Sequence, residues 1–182
     1  PMAARPAYVW PARRTAALRG APESAGGALC LVKTDAPWVR KRGAKMEFIP
    51  TEKMSILLWE EQKTQLSSRL RIQKAIAENE VLAFDIWDDG KLVGFAMLRP
   101  YKDGYFLWNY AIDCRYQNQY LGTRALIELL EYMKCNYRAA FLTTTYRQGN
   151  THARHIYERA GFCQTDIVDE NGIHEVNMVV EL

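Results

Sequence analysis

The stretch LWNYAIDCRYQNQYLGTRALIELLEYMK, residues 107–134, passes from one periodicity to another across a single polar loop. Residues 105–113 (YFLWNYAID) are rich in aromatic side chains and predict a strand. From Leu121 onward apolar residues recur at Leu121, Ala125, Leu126, Leu129, Leu130 and Met133, the 3.6-residue period of an amphipathic helix. Residues 139–146 (AAFLTTTY) return to a strand pattern. A strand, a helix and a strand at this spacing form a crossover unit, so the two strands should run parallel.

Outward from this unit the pattern stays mixed. Residues 81–87 and 91–98 flank Asp88-Asp89-Gly90, a strong tight-turn signal, and Lys102-Asp103-Gly104 leads into the strand above, so three antiparallel strands stand in line. Upstream, residues 45–50 (KMEFIP) alternate and stop at a proline, a first strand. Thr51 then reads as the cap of a helix whose apolar face, Ile56, Leu57, Leu58 and Trp59, runs toward Gln65. Ser67 or Ser68 restarts the chain into a second helix with Leu70, Ile72, Ala75 and Ile76 as its buried stripe. Downstream, Asn150 caps a helix over 151–160, Gly161 ends it in a left-handed cap, and 163–168 and 174–181 make a closing hairpin. The expected fold is α/β: a mixed, mostly antiparallel central sheet of about seven strands with helices on both faces.

Composition bounds the class. The chain has 182 residues, 48% of them hydrophobic, enough for one domain with a proper core. It shows no apolar run of membrane-spanning length and no secretory pattern at its start, so no membrane partner is expected and a cytoplasmic setting is. Cys30, Cys114, Cys135 and Cys163 lack CxxC spacing, so neither a metal cluster nor a disulfide framework is expected. The net charge of +3 hides an asymmetry: residues 1–45 carry nine Lys/Arg against two acids, leaving that segment at +7 and the remainder at −4. Residues 1–45 read as a basic, low-structure extension, and residues 46–182 as the functional domain. A basic arm can contact nucleic acid, but no readout motif accompanies it, so nucleic-acid binding is not expected.

The loop at residues 113–121 joins a strand to a helix, which gathers unpaired amides and the positive end of a helix dipole at one spot. Such a spot favours an anion, and a phosphate can be held there by main-chain groups alone. Gly122 suits a close backbone approach; a bulky Tyr120 suits it less, and an ordinary strand-to-helix turn is the competing reading.

The order of elements resembles the GNAT superfamily of N-acetyltransferases, which use acetyl-CoA. That family's phosphate loop, Gln/Arg-x-x-Gly-x-Gly/Ala, falls on residues 117–122 as Gln-Asn-Gln-Tyr-Leu-Gly, with Tyr120 at the first glycine. Its Asn-x-x-Ala-x-x-x-Tyr-x-x-x-Gly-Phe pattern is complete at residues 150–162. The resemblance covers residues 46–182. Residues 92–98, 107–117 and 169–182 look most like the bacterial diamine and polyamine acetyltransferases, with Asn109 where those relatives commonly carry Arg.

The resemblance implies direct acetyl transfer from acetyl-CoA, without a metal, to a small cationic amine, in an enzyme that pairs as a homodimer. Ile112, Asp113 and Cys114 would meet the pantetheine arm. Gln117, Asn118, Gln119, Tyr120, Leu121, Gly122 and Thr123 would take the pyrophosphate, with Arg124 as charge support, and Asn150 would reach the pantetheine from its helix cap. Tyr157 matches the general acid that protonates the departing thiolate; without the surrounding motif it would read as a helix tyrosine packed on the sheet. Glu60, Glu61, Trp108 and Asn109 are the candidates for the acceptor end, although acids such as the first two are more often solvated helix charges. A non-catalytic acyl-CoA-binding module, or an acetyltransferase for an aminoglycoside or peptide amine, are the alternatives.

Overall fold

The computed structural model describes residues 45–170 and 172–182, so the basic arm, apart from Lys45, lies outside the described residues, and with it the question of nucleic-acid contact. The elements follow in the order β1 (Glu47–Pro50), α1 (Glu60–Gln65), α2 (Arg69–Ala77), β2 (Leu82–Asp88), β3 (Lys91–Tyr101), β4 (Gly104–Ile112), α3 (Leu121–Tyr137), β5 (Phe141–Arg147), α4 (Thr151–Arg159), β6 (Cys163–Glu170) and β7 (Ile173–Glu181). The strands form one seven-stranded sheet in the order β1-β2-β3-β4-β5-β7-β6. Every neighbouring pair is antiparallel except β4 and β5, which the α3 crossover makes parallel.

Two apolar layers sandwich the sheet. On one face α3 presents Leu126, Leu129 and Met133, fully buried, to Phe84, Ala96, Leu98 and Leu142, and α4 adds Tyr157 and Ala160 to the same layer. Each such leucine removes enough apolar surface from water to be worth about 1.5–3 kcal/mol. On the other face Ile72 and Ala75 of α2 pack with Met54 and Ile56 on Ala83, Phe95, Met97 and Ala111.

The first helix departs from expectation. Residues 52–59 are not helical, and α1 begins only at Glu60. The cause is tertiary. The Arg69 guanidinium donates to the Met54 and Ile56 carbonyls at 2.8 and 3.0 Å, the Leu57 amide donates to the Asp113 carboxylate at 2.9 Å, and the Leu57 carbonyl accepts from the Cys114 amide at 2.9 Å. These bonds satisfy the backbone in an extended path that buries Met54 and Ile56, so the helical alternative has nothing to add. In α2, Leu70 is 78% exposed and leaves the expected stripe, because it stands two residues, some 200° of rotation, from Ile72. Ser68 is the residue that caps α2, through the Arg71 amide.

Among the described cysteines, Cys114 and Cys135 are free thiols. No helix of the described residues is long and apolar enough to cross a membrane.

Candidate active site

The site is made by the parallel pair failing to stay paired. β4 and β5 share only the rungs Tyr105–Leu142, Phe106–Thr143 and Leu107–Thr144, although β4 runs on to Ile112 and β5 to Arg147. The separation coincides with a bulge: Met97 pairs with Asn109 and Leu98 with Leu107, leaving Trp108 as the extra residue on β4. A bulge bends its strand and adds local twist, which carries the end of β4 away from β5. Trp108 consequently packs on the α1–α2 face, where Arg71 and Arg99 lie over its ring at 5.1 and 5.9 Å. Thr144 closes the last rung by donating its hydroxyl to the Leu107 carbonyl at 3.1 Å.

Beyond that rung a cleft of about 500 Å³ opens. β4 gives it Tyr110, Ala111 and Ile112; α1 and its end give Gln62 and Leu66; the loop and first turn of α3 give Gln117, Asn118, Tyr120, Leu121, Gly122 and Thr123; Asn150 and the near side of α4 complete it. The Asp113 amide bonds back to Val93 on β3, so by strand alternation the Ile112 amide and carbonyl face the gap. The carbonyl is already taken: Gln62 Nε2 and Gln117 Nε2 donate to it at 2.9 and 3.2 Å. Gln62 Oε1 in turn accepts from the Trp59 amide at 2.8 Å, so one side chain fixes both the start of α1 and the end of β4.

The loop at residues 113–121 passes twice through backbone that favours glycine, at residues that are not glycine. Asn118 (φ 61°) and Tyr120 (φ 59°) both sit in the left-handed region, where a bulky residue carries strain on the order of 1–3 kcal/mol. The Tyr120 ring is 70% exposed and does not fill the cradle. No side chain caps α3, whereas Ser68 caps α2 and Asn150 caps α4 through the Ala153 amide at 3.0 Å. The amides of the first turn of α3 therefore face the cleft without a side-chain partner, at the positive end of a 17-residue helix. Gly122 serves a second purpose: a Cβ there would come within 3.2 Å of Ile156 Cδ1, so the glycine lets α4 approach α3.

Tyr157 lies at the deep end, buried between Tyr146 and Phe162 with ring centroids 6.2 and 5.5 Å away. Burial raises its phenol above the ordinary tyrosine value, and a hydrogen bond with the Thr144 hydroxyl opposes that only in part. Tyr110, a strand aromatic for which sequence reading favours core packing over a place in the acceptor pocket, lines the cleft, donates its hydroxyl to the Gly122 carbonyl at 2.6 Å and is held well above its ordinary value by burial and by the nearby Tyr157. Among the described residues no carboxylate lines the cleft.

The remaining site expectations fall elsewhere. Asp113 is fully buried but points away from the cleft: burial alone would raise its carboxyl, yet its bonds to the Arg115 side chain, the Leu57 amide and the Arg115 amide hold it below the ordinary range. The Cys114 amide is occupied by Leu57, Gln119 is exposed outside the lining, and Arg124 pairs with Asp88 and Glu128 on the far side of α3. Glu60 and Glu61 are exposed on α1, with Glu60 paired to Lys63, and Gln62 is the α1 residue that reaches the cleft. Asn109 is 2% exposed and accepts from the Ser67 amide at 2.9 Å, fastening the α1–α2 junction to β4.

Comparison with known proteins agrees with this architecture. The acetyltransferase (GNAT) family model matches residues 49–162. The chain belongs to the GNAT acetyltransferase family. It is 33% identical over 105 residues to a spermine/spermidine N(1)-acetyltransferase of Bacillus subtilis (strain 168), spanning 53% of this chain and 68% of that protein. It is 32% identical over 98 residues to the [ribosomal protein bS18]-alanine N-acetyltransferase of Escherichia coli (strain K12), spanning 52% and 66%. A GNAT family acetyltransferase from Elizabethkingia anophelis with acetyl-CoA bound superimposes with a TM-score of 0.58 at 18% identity, over 76% of this chain and 99% of that one, a likeness of fold. The protein is thus a GNAT N-acetyltransferase, and its relatives differ in the amine they acetylate.

Proposed function

We propose that this GNAT enzyme moves an acetyl group from acetyl-CoA to a primary amine of a small, cationic, polyamine-like acceptor by direct attack on the thioester. The observation that carries the reading is the break in the β4–β5 ladder after Leu107 and Thr144, with a protonated phenol at its closed end and uncapped helix amides at its mouth. The residues fit the cosubstrate. A cleft without carboxylates, with free amides at a helix start, suits a diphosphate, and the Ile112 amide on the strand edge suits a carbonyl oxygen.

Acetyl-CoA supplies the activated acyl thioester when bound. Leu121, Gly122 and Thr123 hold the diphosphate through their amides. Ile112 donates its amide to the thioester oxygen, where negative charge develops as the amine nitrogen bonds to the carbonyl carbon. Tyr157 gives its proton to the sulfur as the carbon–sulfur bond breaks; burial keeps that proton in place at neutral pH. The proton shed by the amine passes to water, and water returns a proton to the Tyr157 oxygen, which closes the cycle. Residues 46–182, at −4, would concentrate a cationic acceptor near the cleft. The similarity to a spermine/spermidine acetyltransferase favours a polyamine, and that to a ribosomal-protein acetyltransferase makes a peptide amine the main competitor.

The test is thiol release from acetyl-CoA across spermidine, spermine, aminoglycosides and an N-terminal alanyl peptide. Highest kcat/KM with the polyamines supports the proposal. Preference for the peptide overturns the acceptor class, and coenzyme binding without thiol release from any amine overturns catalysis in favour of a binding module.

A further inference from the structure

The mouth of the cleft carries chemistry that the acetyl transfer does not use. Two adjacent rows of α4 face the cleft. The deeper row holds Ala153 and Tyr157, the latter buried. The outer row holds His152, His155, Ile156 and Arg159, at the i, i+3, i+4, i+7 spacing of one helix face. All three nitrogen-bearing side chains of the outer row are exposed. Arg159 has no ion-pair partner among the described residues, although Arg154, five positions earlier, is paired with Glu158. His155 bonds the Thr151 carbonyl through Nδ1, which leaves Nε2 outward. Tyr120, 70% exposed and in the left-handed backbone region, also lines the cleft.

A guanidinium and two imidazoles sharing a cleft with an exposed aromatic ring, with no acid in the lining, is the recognition chemistry of a phosphorylated nucleoside: the base stacks and the phosphate pairs. We propose that the outer row of α4, with Arg159 as its fixed charge, binds the 3′-phosphate of coenzyme A, and that the Tyr120 ring carries the adenine. This rests on the acetyl-CoA reading above. The placement follows from depth. With the thioester at Tyr157 and the diphosphate on the first turn of α3, the nucleoside end of the molecule emerges at the mouth, where the outer row spans about 10 Å of helix. The left-handed Tyr120 thereby acquires a use: a glycine in its place would relieve the backbone and leave the base without a platform.

The test is calorimetry on the full chain with coenzyme A and with 3′-dephospho-coenzyme A. The wild type should bind the 3′-phosphorylated form at least tenfold more tightly. Arg159→Gln, with His152→Gln added, should shrink that preference to threefold or less while leaving affinity for the dephospho form unchanged. Tyr120→Asn, which keeps a residue tolerant of the left-handed region, should weaken both forms by similar factors and leave the preference intact. Equal affinity of the wild type for the two forms, or a preference that survives Arg159→Gln and His152→Gln together, overturns the 3′-phosphate site and leaves the acetyl-CoA reading standing. Failure of the wild type to bind either form overturns both.

Discussion

Replacing Tyr157 by Phe removes one hydroxyl from the deepest point of the cleft and little else. The ring is clasped by Tyr146 and Phe162, and Phe fills the same volume, so packing is retained. Loss of the buried hydroxyl costs no more than about 0.5–1.5 kcal/mol of stability. For a chain of this size that lowers Tm by about 2–4 °C per kcal/mol, and the fold persists. The catalytic loss is larger. A positioned general acid contributes on the order of 10²–10⁴ in rate, about 2.7–5.4 kcal/mol at 1.36 kcal/mol per tenfold, so kcat for thiol release should fall by that factor. The diphosphate is held by amides on α3 that the change does not touch, so affinity for acetyl-CoA should move by less than about threefold. The sign with pH follows from the raised phenol: the proton is present at all pH below a value already above 10, so Tyr157 itself adds no falling limb to wild-type kcat between pH 6 and 9. Stopped-flow thiol detection for kcat and calorimetry for binding read the two quantities apart. Equal kcat in variant and parent, with binding unchanged, removes Tyr157 from the chemistry.

Three further predictions concern the frame. At Gly104 a Cβ would lie 2.3 Å from the Phe141 carbonyl at the closed end of the β4–β5 pair; Gly104→Ala should cost about 1–3 kcal/mol and show as a lower urea midpoint. Arg138 ends α3 in the left-handed region (φ 52°), so Arg138→Gly should stabilise by up to about 1 kcal/mol and raise Tm without altering turnover. Asp113 is a depressed carboxyl, so its contribution is present above the unfolded value of ~3.9 and lost as pH falls through and below it. Asp113→Asn leaves an Arg115 that is exposed to water, so it should cost about 1–3 kcal/mol at pH 7 and flatten the acid limb of stability between pH 5 and 2 in chemical denaturation.

Local pattern announced the sheet, since alternation, turn residues and one crossover fix β2 to β7 with shifts of a few residues at their ends. It failed where long-range bonds outweighed propensity. Nothing near residues 52–59 announces that Arg69 and Asp113 will claim their backbone groups and delay α1 until Glu60. The cleft itself was legible through two motifs, which bring Gln117, Tyr120, Gly122, Asn150 and Tyr157 together. Side chains acting through a single distant atom were not. Gln62 reaches Ile112 across fifty residues, while its acidic neighbours Glu60 and Glu61 drew attention by charge alone. The bulge at Trp108 gives no local signal, yet it turns Trp108 and Asn109 both toward the α1–α2 side and opens the gap. Tyr110 shows the same limit: a strand aromatic reads as packing, and only the fold reveals its hydroxyl on the Gly122 carbonyl.

The most direct check is a crystal structure of the chain grown with coenzyme A. The diphosphate oxygens should lie within about 3 Å of the amides of Leu121, Gly122 and Thr123, with the sulfur near the Tyr157 hydroxyl and the pantetheine in the gap beyond Thr144. Coenzyme density placed anywhere else, or a gap that β4 and β5 close by pairing with each other, contradicts the account.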